Sequence, residues 1–410
     1  MASFSTTNSS VAPSARYDPA ATELIFLGTG TSSSLPHIEC LTAQPGDRPC
    51  RTCLSTLKPE GAKNIRRNTS AAVRAIAKDG RVVTIVVDVG KNFQAAALEW
   101  FPRHGLRRID AVLITHAHAD AMNGLDDLRG WTLNGNIQPH IDVYVSESTF
   151  VEVQRSFPYL VMKEFASGGG DVPEFKWHII SDKVPFEIQD TGIFVTPFSV
   201  HHGRIFAPSP PHGYLPSPVA TTPSTPNSTS PSTPQLSPKS LPARPPAPVE
   251  NASKHSAPVS NIQPYLCFGF KIQDSLVYLS DVSHIPDDVW PLLKSETGPL
   301  PVCVLDCLRL KPHTSHMGLA ESIATARRIG ACRTYLTGFG HEVAHDEYVT
   351  ITKYIGCENK GAFAVEAMSD IERQGIALAG DGKAVWVRPA HDGLRVVVGG
   401  DRSVLDESYR

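Results

Sequence analysis

Two β-sheets packed face to face, with helices outside them, are the mixed α/β architecture to expect of this 410-residue chain. Three observations point there. Short apolar runs of strand type recur along the sequence, and helical patterns are fewer. The early runs are nearly all strand-like, whereas a doubly wound sheet would alternate with helices from the start. Hydrophobic content of 41 % supplies a core, and charged content of 19 % is low for a disordered chain.

The elements follow in order. Residues 1–22 are rich in Ser, Thr and Ala, lack the apolar stretch of a secretory signal, and are expected to form a disordered tail. Strands are expected at Leu24–Leu27, Val82–Val87, Ala111–Ile114, Asp142–Val145 and Ile193–Val195, with helices at Asn92–Phe101 and Ser148–Val153. Fifteen of the 34 prolines then fall between Ala207 and Ser260. This stretch has almost no aliphatic residues and cannot bury enough surface to offset its ordering entropy. It is expected to be a disordered insertion, 207–260, within one domain spanning 23–410. Beyond it come strands at Leu266–Ile272, Leu276–Leu279, Val302–Leu305, Thr334–Leu336, Ala384–Val387 and Arg395–Val398, and helices at Leu319–Ile329 and about His345–Tyr354.

Chemistry gathers where these strands stop. RVVTIVV ends in Asp88, and AVLIT runs into His116-Ala117-His118-Ala119-Asp120. Two imidazoles and a carboxylate on one tight loop can converge on a cation. Further strands end in His201-His202-Gly203, in Asp281 and in His341. Chance would have to put a ligand-type residue at five strand ends. Cys50 and Cys53 have zinc-type C-x-x-C spacing, and Cys40 stands a little before them. With no signal peptide, the scattered cysteines suit reduced thiols and a metal site better than a disulfide framework. Cys267, Cys303, Cys307, Cys332 and Cys357 read mostly as core packing. Arg67 and Arg129 are candidates to meet a substrate phosphate, because guanidinium forks match its oxygens.

LGTGTSSSLP (Leu27–Pro36), THAHAD, GLDDLR, VHHG, YLSDV and PAHDGLRV occur in one order that resembles the metallo-β-lactamase superfamily. The likeness is strongest to the branch of the phosphoribosyl 1,2-cyclic phosphate phosphodiesterase. The resemblance implies a four-layer αββα sandwich with a metal centre of one or two zinc or manganese ions. It puts His116, His118 and His202 on a first ion, Asp281 as a bridge, and Asp120 and His341 on a second. Position 121 is Ala where the family motif H-x-H-x-D-H has its last imidazole. Water, Asp126 or Asp127 would then complete the second ion's shell, or a single ion would serve; the expectation is two ions, the second held more weakly. The resemblance also makes His316 the residue that assists the leaving group, with His313 as rival, and counts Asp120 and Asp88 with the catalytic group. Asp88 would orient a ligating histidine. A cysteine cluster at this place holds a structural zinc in the phosphodiesterase branch; here Cys40, Cys50, Cys53 and His345 would supply it.

The expected activity is hydrolysis of a small phosphodiester, cyclic ones included, through a metal-bound hydroxide. Alternatives are action on tRNA 3′ ends or on a thioester or lactone, and a non-catalytic binding protein whose Pro-rich loop docks a partner domain. A net charge of −3 with no basic arm argues against a nucleic-acid partner. No apolar run reaches the roughly 20 residues that cross a bilayer, so no membrane partner is expected. A cytoplasmic location is expected, with nuclear or mitochondrial placement left open.

Overall fold

A computed structural model describes residues 22–168, 171–205 and 263–409. The tail and the proline-rich insertion expected above lie outside the described residues, apart from Thr22. That residue belongs to a strand and pairs with Val398. Ile205–Gln263 forms a unit of its own, of which only the two end residues are described.

The rest builds two sheets. β1 (Thr22–Gly28), β2 (Ser70–Ile76), β3 (Val82–Val87), β4 (Ala111–Leu113), β5 (Ile141–Val145) and β6 (Phe175–Ile179) lie side by side in chain order. The second sheet holds β7 (Phe186–Glu187), β8 (Phe194–Arg204), β9 (Pro264–Ile272), β10 (Leu276–Leu279), β11 (Val302–Asp306), β12 (Arg333–Thr337) and β13 (Val387–Pro389), again in chain order. The chain then returns to the first sheet, where β14 (Arg395–Val398) pairs antiparallel with β1 and β15 (Val404–Asp406) forms the edge.

Alternation along each strand decides the layers. Leu24, Phe26, Ala71 and Val73 face Val302, Val304 and Tyr335 in the core between the sheets. Their neighbours Ile25, Leu27 and Ala72 point the other way, onto Phe93 and Phe101 of α1 (Phe93–His104). Cys303, Leu305 and Leu336 likewise meet Leu319 and Ile323 of α3 (Leu319–Ile329), with Tyr348 and Ile351 of α4 (His345–Gly356). With α2 (Glu147–Ser156) also on the first sheet's outer side through Val153, the order is helix, sheet, sheet, helix. Each large apolar side chain so buried contributes about 1.5–3 kcal/mol. Among the described residues, no helix is long and apolar enough to cross a membrane.

Strands β3 to β6 run parallel, as do β10 to β13. Parallel strands end together, so the polar residues at the ends of β3, β4, β10 and β11 reach the same margin of the sandwich. The backbone N–H of Phe268 in β9 donates to the Thr115 carbonyl at 2.9 Å and fastens the two sheets there.

Candidate metal centre

The centre is built on His116. Thr115 donates from Oγ1 to Asp88 Oδ2 at 2.8 Å, so that hydroxyl accepts from His116 Nδ1, also at 2.8 Å. The network thereby puts the imidazole proton on Nδ1 and leaves Nε2 as a bare lone pair, buried and without a hydrogen-bond partner. His202 repeats the arrangement: its Nδ1 donates to the Ser315 carbonyl at 2.8 Å, again freeing Nε2. His118 lies open to solvent on one side and stacks flat on Tyr265, with ring centres 4.6 Å apart. The three imidazoles place ligand atoms within 4.8 Å of one another. Burial pushes the His116 pKa well below its usual range, and partial burial followed by the neighbouring His202 brings His118 to about 4. Neutral, unprotonated nitrogens aimed at one point are what a divalent cation needs, so the residues fit one.

Asp281, at the end of β10, closes one side. His202, Asp281 and His316 also offer ligand atoms within 4.8 Å of one another. Burial pushes the Asp281 carboxyl up, but His202, His116 and His316 outweigh it and hold the pKa at about 2. Asp120 is raised by burial and then by the charge of Asp281. His316 Nδ1 lies 3.0 Å from Asp306 Oδ2 and 3.9 Å from Asp281 Oδ1. Burial disfavours the His316 cation, but Asp306 and Asp281 more than offset this and raise its pKa to about 9. Its Nε2 makes no hydrogen bond among the described residues.

The beta-lactamase superfamily domain matches residues 83–218, the stretch that carries Asp88, the THAHAD loop and His202. With these motifs at the strand ends of an αββα sandwich, the architecture is that of the metallo-β-lactamase fold. A crystal structure described as a new diphosphatase from the PhnP family is 23 % identical, covers 92 % of this chain and 97 % of its own, and superposes with a TM-score of 0.55. The metallo-beta-lactamase fold protein YhfI from Bacillus subtilis is 12 % identical over 92 % of this chain and 99 % of its own, with a TM-score of 0.45. An octanoyltransferase of Porphyromonas gingivalis is 29 % identical over 181 residues, which is 44 % of this chain. That match spans only 31 % of the octanoyltransferase.

Within this metallo-β-lactamase fold several expected placements change. His341 is not at the centre: its Nδ1 lies 3.3 Å from Cys40 Sγ and 3.7 Å from both Cys50 and Cys53 Sγ. Four residues past β12, the loop has turned away from the strand-end margin toward the helical segment of the cysteines. A tetrahedron drawn with ordinary zinc–sulfur and zinc–nitrogen bonds has sulfur–nitrogen edges of about 3.5 Å, so the four atoms fit such an ion. His345 is correspondingly not the fourth ligand of that cluster. It begins α4 and bonds the Tyr409 hydroxyl at 3.0 Å through Nε2. His37, stacked 4.2 Å from the His341 ring, is a neighbour of the thiols that the spacing had not suggested.

Asp88 touches no ligand directly. It accepts from the Thr115 N–H and hydroxyl, both at 2.8 Å, and acts on His116 only through that hydroxyl, so it is a positioning residue and not a catalytic one. The two arginines are engaged elsewhere. Arg67 pairs with Glu99 at 2.6 Å and with Asp392 at 3.6 Å, and Arg129 pairs with Asp126. Asp126, also bonded by the Tyr159 hydroxyl, is therefore not free to complete a metal shell, and Asp127 lies beside a separate surface cavity with Trp131 and Leu98. His313 is exposed, with its ring 6.2 Å from that of His316, and is not the better candidate.

Two participants escaped the motif reading, Asp306 and Tyr265. VCVLD ends in an acid at a strand end, the same signal that singled out Asp281, and it was available in the sequence. Tyr265 carries no such mark: it stacks on His118 and bonds the backbone of Ala117 in the same loop.

Proposed function

We propose that the protein is a metal-dependent hydrolase of a small phosphodiester. The observation that carries this reading is the convergence of His116, His118 and His202 beside Asp281, with the His316 cation next to them. A divalent ion held by these residues supplies a Lewis acid that acidifies water and draws charge from a phosphoryl oxygen. Everything else falls to the chain. Asp88 and Thr115 fix the His116 tautomer, and the Ser315 carbonyl fixes that of His202. His316, anchored through Nδ1 by Asp306, keeps Nε2–H free to protonate the departing alkoxide, giving a phosphomonoester and an alcohol from diester and water. A protonated imidazole beside the ligands also suits an anionic substrate, and the fold neighbour described as a diphosphatase acts on phosphate chemistry as well. The cysteine cluster is proposed to hold a zinc ion with a structural role, all four positions being filled by protein.

The test is turnover of bis-p-nitrophenyl phosphate and of cyclic phosphates, against a thioester and a lactone, with zinc and with manganese. Phosphodiester turnover that chelation abolishes is the expected result. Hydrolysis confined to the thioester or lactone overturns the phosphodiester reading.

A further inference from the structure

The resemblance implies two ions at the centre; the residues present fit one. The second would need an imidazole at position 121 and another from the loop after β12. Ala121 is buried and has no donor atom. His341 has its ring among the thiols. The loop residue that does face the centre's interior is Gly338, at φ +78°. A Cβ there would fall 2.6 Å from Asp306 Oδ1, so the Asp306 carboxylate fills the space a side chain from that position would need.

What is left for a second ion is Asp120, Asp281 and His316. His316 approaches Asp281 most closely through Nδ1, the nitrogen already bound to Asp306 Oδ2. Asp306 Oδ2 also accepts the N–H groups of Val282 and Met317, both at 3.2 Å, which locks the pair against β10 and the loop before α3. Finally, the two convergent groups, His116–His118–His202 and His202–Asp281–His316, share His202. With Nδ1 held by Ser315, His202 has one nitrogen to give, and it serves one ion.

We propose that this centre takes a single divalent ion per chain, with the Asp306-anchored side chain of His316 standing against Asp281 in place of a second. The inference rests on the metal reading of the centre given above and not on which bond is cleaved.

The measurement is zinc, and separately manganese, bound per chain at saturation, determined by elemental analysis after equilibrium dialysis. The full chain is compared with the double variant His202→Ala/Asp281→Asn, which removes residues that either kind of centre requires. The expected difference is one ion per chain. A difference of two, or of none, overturns the proposal. Asp120→Asn decides independently, should the double variant lose its circular dichroism. An unchanged metal count supports a one-ion centre, and loss of one ion overturns it. None of these readouts uses activity. Two ions with phosphodiester turnover defeats the single-ion inference alone, and one ion with no turnover on any substrate defeats the hydrolase reading alone.

Discussion

Among the described residues, the strand-end imidazoles and the thiols around His341 form two clusters of metal-type ligands that differ in chemistry. At the strand-end margin three imidazoles meet beside carboxylates, and His118 is open to solvent. Around His341, three thiols and one imidazole close on one another, with Cys53 fully buried. Borderline nitrogen ligands with an open side leave room for a reactant, whereas a closed sulfur-rich set has no vacant position and can only hold the fold. The first is set at the ends of strands of the two sheets, the second on short helical turns and a loop. Precision is needed where bonds are broken. For the other, cross-linking distant segments is enough.

The comparison can be broken by exchanging symptoms between the sites. The largest expected effect is at the imidazoles. His116→Ala should cut turnover by at least about 10³-fold, since a lost Lewis acid costs several kcal/mol of transition-state stabilisation, with a melting midpoint near that of the parent. His316→Ala should lower kcat by about 10²-fold while bound metal stays constant, as expected for loss of a proton donor. Metal loss in that variant would recast His316 as a ligand. Cys53→Ser should do the reverse: the thermal midpoint should fall by on the order of 5 °C, and kcat measured well below it should be nearly unchanged. A Cys53 variant with normal stability and no turnover would erase the distinction. Gly338→Ala, which forces a Cβ at positive φ toward Asp306, should cost about 1–3 kcal/mol of stability and slow turnover through a displaced Asp306.

The smallest effect is a pH dependence belonging to neither site. His391 is driven to about 4 and His345 well below the usual range, in both cases chiefly by burial. Both are neutral in the folded chain at pH values where the unfolded chain, with imidazoles near 6.5, binds protons. Stability should therefore fall as pH drops from about 6.5 toward 4. Urea midpoints at pH 7 and pH 5 measure it, and His391→Gln should narrow the gap between them.

Strands whose core faces are filled by Leu, Ile, Val and Phe announced themselves in the sequence: Leu276–Leu279 and Arg395–Val398 were read with their observed limits, as was helix Leu319–Ile329. β2 was missed because SAAVRAI packs alanines against both neighbours, and alanine carries no strand signal. β6, FKWHI, is a half-exposed edge strand with a lysine in it, whereas the helix Asp370–Ala379 carried a readable signal in its capping pair Ser369 and Glu372 and was overlooked. The convergence of His116, His118, His202 and Asp281 was legible because a ligand-type residue after an apolar strand is a local pattern. His341 and His345 were both misplaced because their positions depend on how a loop turns after β12, and no local pattern records that. Arg67 and Arg129 pair with carboxylates in different ways: Glu99 and Asp392 reach Arg67 from far away in sequence through tertiary packing, whereas Asp126 lies three residues before Arg129.

The four residues from Gly338 to His341 touch both clusters. Gly338 abuts Asp306, Phe339 donates its N–H to Thr29 and Gly340 to Leu308, and His341 faces the thiols. The buried guanidinium of Arg66 binds the carbonyls of Gly340 and Val343 and stiffens the span. Thermodynamic linkage then applies to so short a shared segment: whatever factor an ion at the thiols adds to affinity at the imidazoles, an ion at the imidazoles returns to the thiols. The two clusters, unlike in chemistry, hang on one short span of backbone, so any influence that either exerts through it is felt equally by the other.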